Sequence, residues 1–558
     1  MTTIATRTAA GVSVGLALAG ALAGPVGASA EATGIDSASG GDRANIVVVM
    51  VDDMSIELLQ HVPAATDLIA AGVTFENAIV STALCCPSRA TFLTGQYPHN
   101  TGVQTNGRRN GGFAHYRAER NRDLGYALQR SGYRTGYVGK YLTGYHPEGE
   151  TGRRGYPRGL VPRGWDEWFV GGAYAGWHYT LTESVDGLPP AGSNVFTHDG
   201  ETEADYFTDF ASDRAVEFVA RAGDQPFALV VTPFASHRRL VGSADPDPGY
   251  QPAVPPAPRD RHDSKTAPWP NEFAEGDCGG VPLGGCSAVI APDEIWAESF
   301  NTVGTDAPSW RADLSAISDL EDRATVLTRE RAQSLQAVSD LIVRLRGALG
   351  AEIDNTYLVF TSDNGFFLGQ HRLFGGKGTA YDHDVRVPLV IVPPGGRAEP
   401  RSVTAVVQNV DLAPTLAEIA GAPLVLPPDG MSLLPWLGPP EALPTSWRDG
   451  GLISFLGGED GLGPDRSQTG KIVPPYKALR TEQYLYVDYT EVDATPPNDH
   501  LDGEFFWLAS DAEQLDNRYD DLAPEQRHDL NSALVAYSSC AKLACRQADL
   551  PEIMPPVE

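Results

Sequence analysis

The sequence predicts an α/β protein built on a large, mostly parallel β-sheet that is covered on both faces. Three observations lead to this fold class: four short apolar runs recur along the chain, polar residues follow each run within a few positions, and helix-like apolar patterns lie between the runs. Continuous runs rich in β-branched residues are typical of parallel strands buried on both faces. We therefore expect a central sheet with helices on either side.

The four apolar runs are the candidate central strands, and each ends in polar residues. The runs cover residues 46–51, 133–138, 227–232 and 357–361. The polar residues that follow them are Asp52 and Asp53, then Lys140, then His237, and finally Asp363 and Asn364. In open α/β sheets ligands bind at the carboxyl ends of the strands. We therefore expect the four strand ends to converge on one site.

One helix is indicated by apolar residues at steps of three and four, just before the strand that delivers Asp363. These residues are Leu335, Val338, Ile342, Leu345 and Leu349. Residues 240–310 are rich in Pro, Asp and Gly and lack periodicity, which predicts a long surface insertion. The helix is therefore expected to pack in the core and the insertion to lie outside it.

The last part of the chain has a different composition. A Pro-rich connector covers residues 424–440, and beyond it a strand in 477–489, a strand in 503–508 and a terminal helix suggest a small α+β domain. A chain of 558 residues exceeds a typical single core. We therefore predict a main domain over residues 43–435 and a C-terminal α+β domain over residues 445–558.

The first 30 residues have the pattern of a secretory signal peptide. Arg7 precedes an apolar run at 11–23, and small residues at 28–30 complete a cleavage site after Ala30. A membrane anchor is the alternative, but the run is shorter than the roughly 18–20 residues needed to span a bilayer. We expect a secreted protein without stable membrane insertion.

The formal net charge of −30 argues against a nucleic-acid partner, because phosphate binding relies on a basic surface. Five arginines form a local exception: Arg108, Arg109, Arg117, Arg120 and Arg122. They are either an ordinary solvated surface or a collar that attracts an anionic substrate into a cleft.

The six cysteines fall into three sequence pairs, which are Cys85/Cys86, Cys278/Cys286 and Cys540/Cys545. In an exported protein the last two pairs are expected to form short-loop disulfides. Zinc binding is the alternative, but neither spacing is C-x-x-C. Adjacent cysteines cannot easily pair with each other, because the short backbone between them strains the bond. The first pair therefore needs another explanation.

Four of the polar residues at the strand ends offer oxygen ligands, and they are Asp52, Asp53, Asp363 and Asn364. All-oxygen sites suit hard cations such as Ca²⁺ or Mg²⁺ rather than zinc. Two successive acids alone could be a solvated turn. The second pair, which also follows a buried strand, favours a divalent cation site.

The stretch CCPSRATFLTG at residues 85–95 resembles the signature of the sulfatase family, C-x-P-S-R followed by x-x-x-x-T-G. In that family a separate formylglycine-generating enzyme oxidises the first cysteine to Cα-formylglycine before the chain folds. The resemblance makes Cys85 the modified residue, whereas Cys86 fills the variable position.

Further segments are similar to the family, over about residues 43–520. They are Asp52-Asp53, the TSDNG segment at 361–365, Gly139-Lys140, His237 in TPFASH, Lys377 in GGKGTAYDHDVRVPLVIV, residues 409–415, and EFFWLASDAEQLDN at 504–517. The resemblance implies an alkaline-phosphatase-like three-layer α/β/α fold with a mixed, mostly parallel central sheet. Residues 43–435 would then be the catalytic sulfatase domain.

The resemblance also implies roles for individual residues. The implied metal ligands, for Ca²⁺ or alternatively Mg²⁺, are Asp52, Asp53, Cys85 as formylglycine, Asp363 and Asn364. Asp363 would act as the base and Arg89 would orient the aldehyde hydrate. Lys140 and Lys377 would bind the sulfate oxygens. His237 would protonate the leaving oxygen, with Lys377 as its rival. His371 would lie near the substrate, and His383 is expected to be structural.

One position departs from the family pattern. Where the family often has Gly-Lys-Trp-His, Leu142 stands in place of the histidine and His146 comes later. The stretches CCPSRATFLTGQYPHNTGV, GKYLTGY and LGQHRL look most like the glucosamine-6-sulfatase branch. This branch implies a sulfated glycan such as 6-O-sulfated N-acetylglucosamine, but a small sulfated sugar or an aryl sulfate is equally compatible.

Two other functions compete with sulfate ester hydrolysis. A phosphatase or a phosphonate monoester hydrolase could have the same fold. Alkaline phosphatases use serine or threonine nucleophiles and zinc pairs, so Cys85 in a formylglycine motif argues against them. It argues less strongly against a phosphonate monoester hydrolase. A catalytically silent binding protein is the rival from another class. It is disfavoured because every expected site position except that of Leu142 is filled.

Overall fold

The computed structural model describes residues 43–107, 110–116, 119–151, 155–171, 179–199, 205–237, 298–312, 314, 320–456, 473–489, 503–547 and 550–553. In chain order the strands are β1 (Asn45–Val51), β2 (Val73–Phe75), β3 (Ala78–Ile79), β4 (Arg134–Lys140), β5 (Glu167–Gly171), β6 (Tyr179–Val185), β7 (Val195–His198), β8 (Phe227–Thr232), β9 (Thr356–Ser362), β10 (Phe367–Leu368), β11 (Phe374–Gly376), β12 (Leu389–Val392), β13 (Arg401–Val403), β14 (Val407–Gln408), β15 (Gly450–Phe455), β16 (Tyr476–Thr481), β17 (Tyr484–Asp488) and β18 (Glu504–Trp507).

Helices of widely different length accompany these strands. In chain order they are α1 (Pro63–Ala71), α2 (Cys85–Thr94), α3 (Pro98–Thr101), α4 (Gly112–Tyr116), α5 (Leu124–Arg130), α6 (Phe207–Ala222), α7 (Ser309–Ala312), α8 (Leu320–Leu349), α9 (Asp382–Val385), α10 (Leu412–Ile419), α11 (Leu434–Leu437), α12 (Pro524–Ser539) and α13 (Leu543–Arg546). None of the helices in the described ranges has the length and apolarity to span a bilayer.

A ten-stranded sheet forms the centre of the protein, in the order β13-β2-β12-β9-β1-β8-β4-β5-β6-β7. Its four middle strands, β9, β1, β8 and β4, are adjacent and mutually parallel. They are the four runs that the sequence singles out, and their ends agree within two residues. The antiparallel pairing of β12 with β9 and of β5 with β6 makes the sheet mixed. The predicted fold class is therefore confirmed.

Strand β1 shows why the sheet needs a layer of helices on each face. All seven of its residues are buried, and alternate side chains enter two different apolar clusters. Ile46, Val48 and Met50 join a cluster that contains residues of α2, α5 and α10. Residues 47, 49 and 51 join a cluster with α1, α6 and α8. The three-layer α/β/α arrangement follows from this alternation.

The apolar stripe in α8 confirms the helix that the sequence predicts. Its five members, Leu335, Val338, Ile342, Leu345 and Leu349, are at most 3% exposed. A fully buried side chain of this size contributes roughly 1.5–3 kcal/mol of transfer free energy. The stripe therefore holds the second helical layer against the sheet.

The C-terminal part forms a four-stranded antiparallel sheet, β15-β16-β17-β18, with α12 after it. The single strand expected over residues 477–489 is wrong: the segment is a hairpin of β16 and β17 that turns at Glu482 and Gln483. Thr481 Oγ1 accepts the backbone N–H groups of Gln483 and Tyr484 at 3.1 and 2.9 Å, so a threonine side chain closes this turn.

The predicted disulfide between Cys540 and Cys545 is present. The other predicted disulfide, Cys278–Cys286, lies outside the described residues, as do the signal peptide at 1–30 and most of the insertion at 240–310. An apolar cluster joins residues of the main sheet region, such as Leu84 and Phe367, with Ile453 and Phe506 of the C-terminal sheet. The domain limits at 435 and 445 stay a prediction.

Candidate active site

Two acidic residues follow β1 directly, at the predicted edge of the sheet. Asp52 and Asp53 are at most 1% exposed. Asp53 has a φ of +60°, a left-handed conformation that is uncommon outside glycine. Its backbone N–H donates to Oδ1 of Asp363, the residue after β9, at 3.0 Å. The two neighbouring strand ends are thereby held together.

Lys140, the last residue of β4, reaches the first of these acids. Its Nζ lies 2.7 and 2.6 Å from the two carboxylate oxygens of Asp52. Burial raises the pKa of Asp52 to about 7, against the opposing charge of Lys140. The charges of Lys140 and Arg89 favour the ionised carboxylate against this effect of burial.

The Asp53 carboxylate is surrounded by three side chains from different strand ends. Its Oδ1 accepts from Lys377 Nζ, and from Asn364 Nδ2 at 2.7 Å. Its Oδ2 lies 3.4 Å from Nε2 of His237, which follows β8. Burial alone would raise the pKa of Asp53, but the charges of Lys377 and His237 outweigh it and lower the pKa. Asp53 is therefore a carboxylate.

Cys85 is the first residue of α2 and faces this group of charges. Its Sγ lies 2.7 Å from Lys377 Nζ and 3.7 Å from Asp53 Oδ1. Burial raises the pKa of its thiol well above the ordinary value. The neighbouring Cys86 is fully buried in the apolar cluster of the first helical layer. The two adjacent cysteines are both unpaired thiols and point into different environments.

Arg89, one turn further along α2, connects three of the strand ends. Its Nε donates to Asp363 Oδ2 and one Nη to the Lys140 carbonyl, both at 2.8 Å, while the other Nη lies 3.5 Å from Asp52 Oδ1. Burial opposes its charge, but Asp363 and Asp52 raise the pKa of Arg89. Arg89 lowers the pKa of Asp363 in turn, although burial acts the other way.

The residues at this edge have the chemistry of a divalent cation site. Oxygens of Asp52 and Asp53, the Cys85 Sγ and a ring nitrogen of His237 all lie within 4.8 Å of one another. Asp363 and Asn364 add further oxygens in hydrogen-bond contact with Asp53. The three carboxylates are already paired with lysine or arginine side chains, so it is the set of convergent oxygen donors that indicates an ion, and this set suits Ca²⁺ or Mg²⁺. The residues present therefore fit such an ion.

The predicted substrate residue His371 is buried among aromatic and basic side chains. It is 1% exposed, stacks on Tyr381 at 4.1 Å between ring centres, and has Nδ1 3.3 Å from a guanidinium nitrogen of Arg311. Burial and the Arg311 charge lower the pKa of His371 well below its usual value. Its ring also lies 5.5 Å from that of His383, and its backbone N–H donates to the Ser299 carbonyl at 2.9 Å. Its role toward substrate stays a prediction.

The two positions that concern the missing family histidine differ in burial. Leu142 is 2% exposed and belongs to the apolar cluster of the first helical layer. His146 is exposed. Of the five arginines proposed as a collar, Arg120 and Arg122 are described, and Arg122 pairs with Glu119 at 2.7 Å. The other three, Arg108, Arg109 and Arg117, lie outside the described residues.

One residue of the site gives no signal in the sequence. Arg331, within α8, is buried and donates to the carbonyl oxygens of Asp53 and Ser236. It thus ties the chain after β1 to the chain after β8. Burial lowers the pKa of Arg331 to about 10. A single arginine in a long helix has no local motif, so the contact becomes visible only in the folded protein.

Comparison with known proteins decides the family. The family profile described as Sulfatase matches residues 44–422. The chain belongs to the sulfatase family. A second profile, described as the C-terminal part of N-sulphoglucosamine sulphohydrolase, matches residues 369–537 of this sulfatase. The chain is therefore a hydrolase of sulfate esters.

Several sulfatases are similar to this one along most of its length. The N-acetylglucosamine-6-sulfatase of Capra hircus is 29% identical over 91% of this chain and 86% of its own. An extracellular sulfatase Sulf-1 homolog of Caenorhabditis elegans is 32% identical over 70% of this chain, which spans about half (48%) of that protein. An arylsulfatase of Volvox carteri is 31% identical over 70% of this chain and 57% of its own.

Solved structures share the fold at lower sequence identity. A sulfatase of Bacteroides fragilis superposes with a TM-score of 0.61 at 21% identity, over 92% of this chain and all of that one. The phosphonate monoester hydrolase of Agrobacterium radiobacter superposes with a TM-score of 0.54 at 20% identity, over 89% of this chain and 94% of that one. These likenesses confirm the alkaline-phosphatase-like α/β fold.

Proposed function

We propose that this protein is a secreted sulfatase that cleaves the sulfate monoester of a sulfated sugar, of the N-acetylglucosamine-6-sulfate type, after Cys85 has been converted to formylglycine. One observation carries the proposal: Cys85 of the C-x-P-S-R motif begins α2 inside a buried group of carboxylates and lysines. The similarity to N-acetylglucosamine-6-sulfatases over nine-tenths of the chain supports the substrate class.

A divalent cation and the formylglycine at position 85 would supply the central chemistry. A divalent cation held by Asp52, Asp53, Asp363 and Asn364 would polarise the sulfate oxygens. Formylglycine at position 85 would supply, as its hydrate, the nucleophilic oxygen and a second hydroxyl that allows sulfate to be released. An unmodified thiol is poorly suited to the same task, because burial raises the pKa of Cys85 and keeps it protonated.

The chain's own residues bind the sulfate and move the protons. Lys140 and Lys377 bring two ammonium groups to the edge where Cys85 lies, and they would stabilise negative charge on the sulfate oxygens. Asp363 has a lowered pKa and is held by Arg89 at 2.8 Å, so it is charged and can accept a proton from the attacking hydroxyl.

The leaving alcohol needs a proton, since an alkoxide departs poorly. His237 is the proposed donor: it is 2% exposed, and its Nε2 lies 3.4 Å from Asp53 Oδ2, at the edge where Cys85 lies. Lys377 is the alternative donor, because its Nζ is the cation nearest to Cys85 among the described contacts. Burial of the whole group excludes water, which strengthens each of these electrostatic interactions.

Hydrolysis assays with matched leaving groups test the proposal. We expect turnover of p-nitrophenyl sulfate and of N-acetylglucosamine-6-sulfate, with a kcat/KM on p-nitrophenyl phosphate or a phosphonate monoester at least tenfold lower. A preference for the phosphate or phosphonate would instead support the second candidate, which the likeness to the Agrobacterium enzyme raises. Activity on aryl sulfate without activity on the sugar would support a broad arylsulfatase, as the Volvox relative suggests.

Mass spectrometry tests the modification and the export. Peptides that contain residue 85 are expected to show the loss of mass that converts a thiol to an aldehyde. Two intact thiols at 85 and 86 in an active preparation would refute the mechanism. The N-terminal residue of the protein recovered from the culture medium is expected to be Glu31, directly after the proposed cleavage at Ala30.

A further inference from the structure

The segment that delivers Lys377 to the site continues into a tight turn and the short helix α9. Within it, the backbone N–H and the hydroxyl of Thr379 donate to Asp384 Oδ2 at 2.8 and 2.7 Å. These two bonds close residues 379–384 on themselves. Residues 379–384 would therefore move as one unit. Because Lys377 lies two residues before Thr379, a change in the position of α9 would also displace Lys377.

The C-terminal sheet holds this unit through one buried ion pair. Arg480, near the end of β16, donates from Nε and Nη2 to the two oxygens of Asp382, each at 2.9 Å. The two side chains are 4% and 6% exposed. Such a fork-to-fork pair fixes orientation as well as distance. The Asp382 backbone N–H also donates to Gln514 Oε1 at 3.0 Å.

A second buried carboxylate of the same sheet holds the preceding residue. The Tyr381 hydroxyl donates to Oε1 of Glu504, the first residue of β18, at 2.6 Å. Arg311 of α7 lies 3.3 Å from the same oxygen, and the Tyr489 hydroxyl donates to the other oxygen. Glu504 is fully buried. Arg311 and the two tyrosine hydroxyls are therefore the partners of the Glu504 carboxylate. Arg311 also contacts His371.

We propose that Arg480 and Glu504 are positioning residues for Lys377, so that the C-terminal sheet sets the placement of a catalytic ammonium group. A lysine side chain is long and flexible, so the place of its Nζ depends on where its backbone is held. Here two neighbouring residues, Tyr381 and Asp382, are attached to two strands of the other sheet. The proposal depends on the role of Lys377 in the proposed function.

The test compares Arg480→Lys with a matched Arg221→Lys control. Arg221 makes the same kind of fork to Glu167, at 2.9 and 2.6 Å, between α6 and β5. We expect Arg480→Lys to lower kcat on p-nitrophenyl sulfate roughly 10- to 100-fold, the cost of a displacement of about 1 Å. The control should keep kcat within about twofold, and because the Arg221 side chain is 34% exposed its melting temperature should fall less than that of Arg480→Lys. We expect Glu504→Gln to lower kcat by a similar factor to Arg480→Lys.

A double-mutant cycle with Lys377→Ala separates positioning from general destabilisation. If Arg480 acts through Lys377, Arg480→Lys should lower the residual rate of the Lys377→Ala protein by less than about twofold. The same loss in both backgrounds, or an unchanged kcat in Arg480→Lys, would overturn the inference. By contrast, a wild-type protein without sulfatase activity, or full activity in Lys377→Ala, would overturn the proposed function instead.

Discussion

Cys85 and Cys86 are adjacent in sequence, yet the structure gives them different environments. We expect Cys85→Ala to abolish turnover, because position 85 would carry the nucleophile. Cys86→Ala should keep the catalytic rate within a fewfold and reduce the free energy of unfolding by about 1 kcal/mol, since it removes one buried atom from a packed cluster. Steady-state rates and urea unfolding of both variants provide the measurement.

The reverse outcome would contradict this assignment. If Cys86→Ala lost activity without losing stability, or if Cys85→Ala kept it, the two cysteines would have exchanged roles. A wild-type sample in which residue 85 is shown to be converted is the appropriate control, since an unconverted sample would give low rates for both proteins.

At the residue scale, the sequence predicts those site members that belong to local motifs. Cys85 and Arg89 lie four positions apart on one helix, and Asp363 follows a recognisable buried strand. Arg331 and Arg480 could not be predicted in the same way. Arg480 is separated from Asp382 by 98 positions, so only tertiary packing brings them together. Predicting their contacts requires the orientation of whole elements.

At the element scale, the buried N-cap of α5 makes stability depend on pH. Asp123 caps the helix by accepting from the Tyr126 backbone N–H at 3.3 Å and accepts from the Tyr116 hydroxyl at 2.7 Å. Burial raises the pKa of Asp123 to about 7 from its usual 3.8. The folded protein therefore holds a proton that the unfolded chain has lost between about pH 4 and pH 7, so this stabilisation declines as pH rises through that window.

Asp123→Asn should remove this dependence, because an amide keeps an acceptor for the cap but does not titrate. We expect the free energy of unfolding of the wild type to fall by up to roughly 1–3 kcal/mol more than that of the variant between pH 5 and pH 8. Urea unfolding at the two pH values measures the difference. Parallel pH profiles of the two proteins would show that Asp123 does not titrate in this range.

The elements themselves were largely predictable from their apolar patterns. Strands β1 and β8 are fully buried and β4 and β9 have one half-buried residue each, so the runs are mostly apolar and the polar residues of the site lie at or after their ends. The hairpin of β16 and β17 was missed because its turn lacks Asn-Gly or another usual turn signal. The Thr481 side chain accepts the hydrogen bonds of the turn instead. In the sequence, this threonine cannot be distinguished from a threonine within a strand.

At the scale of the whole molecule, the three buried carboxylates at one sheet edge would link stability to a divalent cation, as the proposed function requires. We expect CaCl₂ at 100 times its dissociation constant to stabilise the protein by about 2.7 kcal/mol relative to a chelator. In a protein of this size, that corresponds to a rise of about 2 °C in melting temperature. Calorimetry in Ca²⁺, in Mg²⁺ and in EDTA measures the shift and ranks the two ions.

Asp363→Asn is the matched control, because it removes one carboxylate charge and leaves a side chain of the same shape. It should reduce the shift between Ca²⁺ and EDTA and leave the melting temperature in EDTA within a few degrees of the wild type. Equal melting temperatures of the wild type in all three buffers would contradict a structural contribution of the ion.

The order in which the site residues are synthesised determines how early the site can close over Cys85. Cys85 and Lys377, which lie 2.7 Å apart in the folded protein, are separated by 292 positions. At about 5–20 residues per second, a ribosome needs roughly 15–60 s to pass from one to the other. For that interval the site cannot close over Cys85. If Cys85 is converted in the unfolded chain, as the proposed function requires, the long sequence separation of these neighbours sets the shortest time that a modifying enzyme has to reach the cysteine.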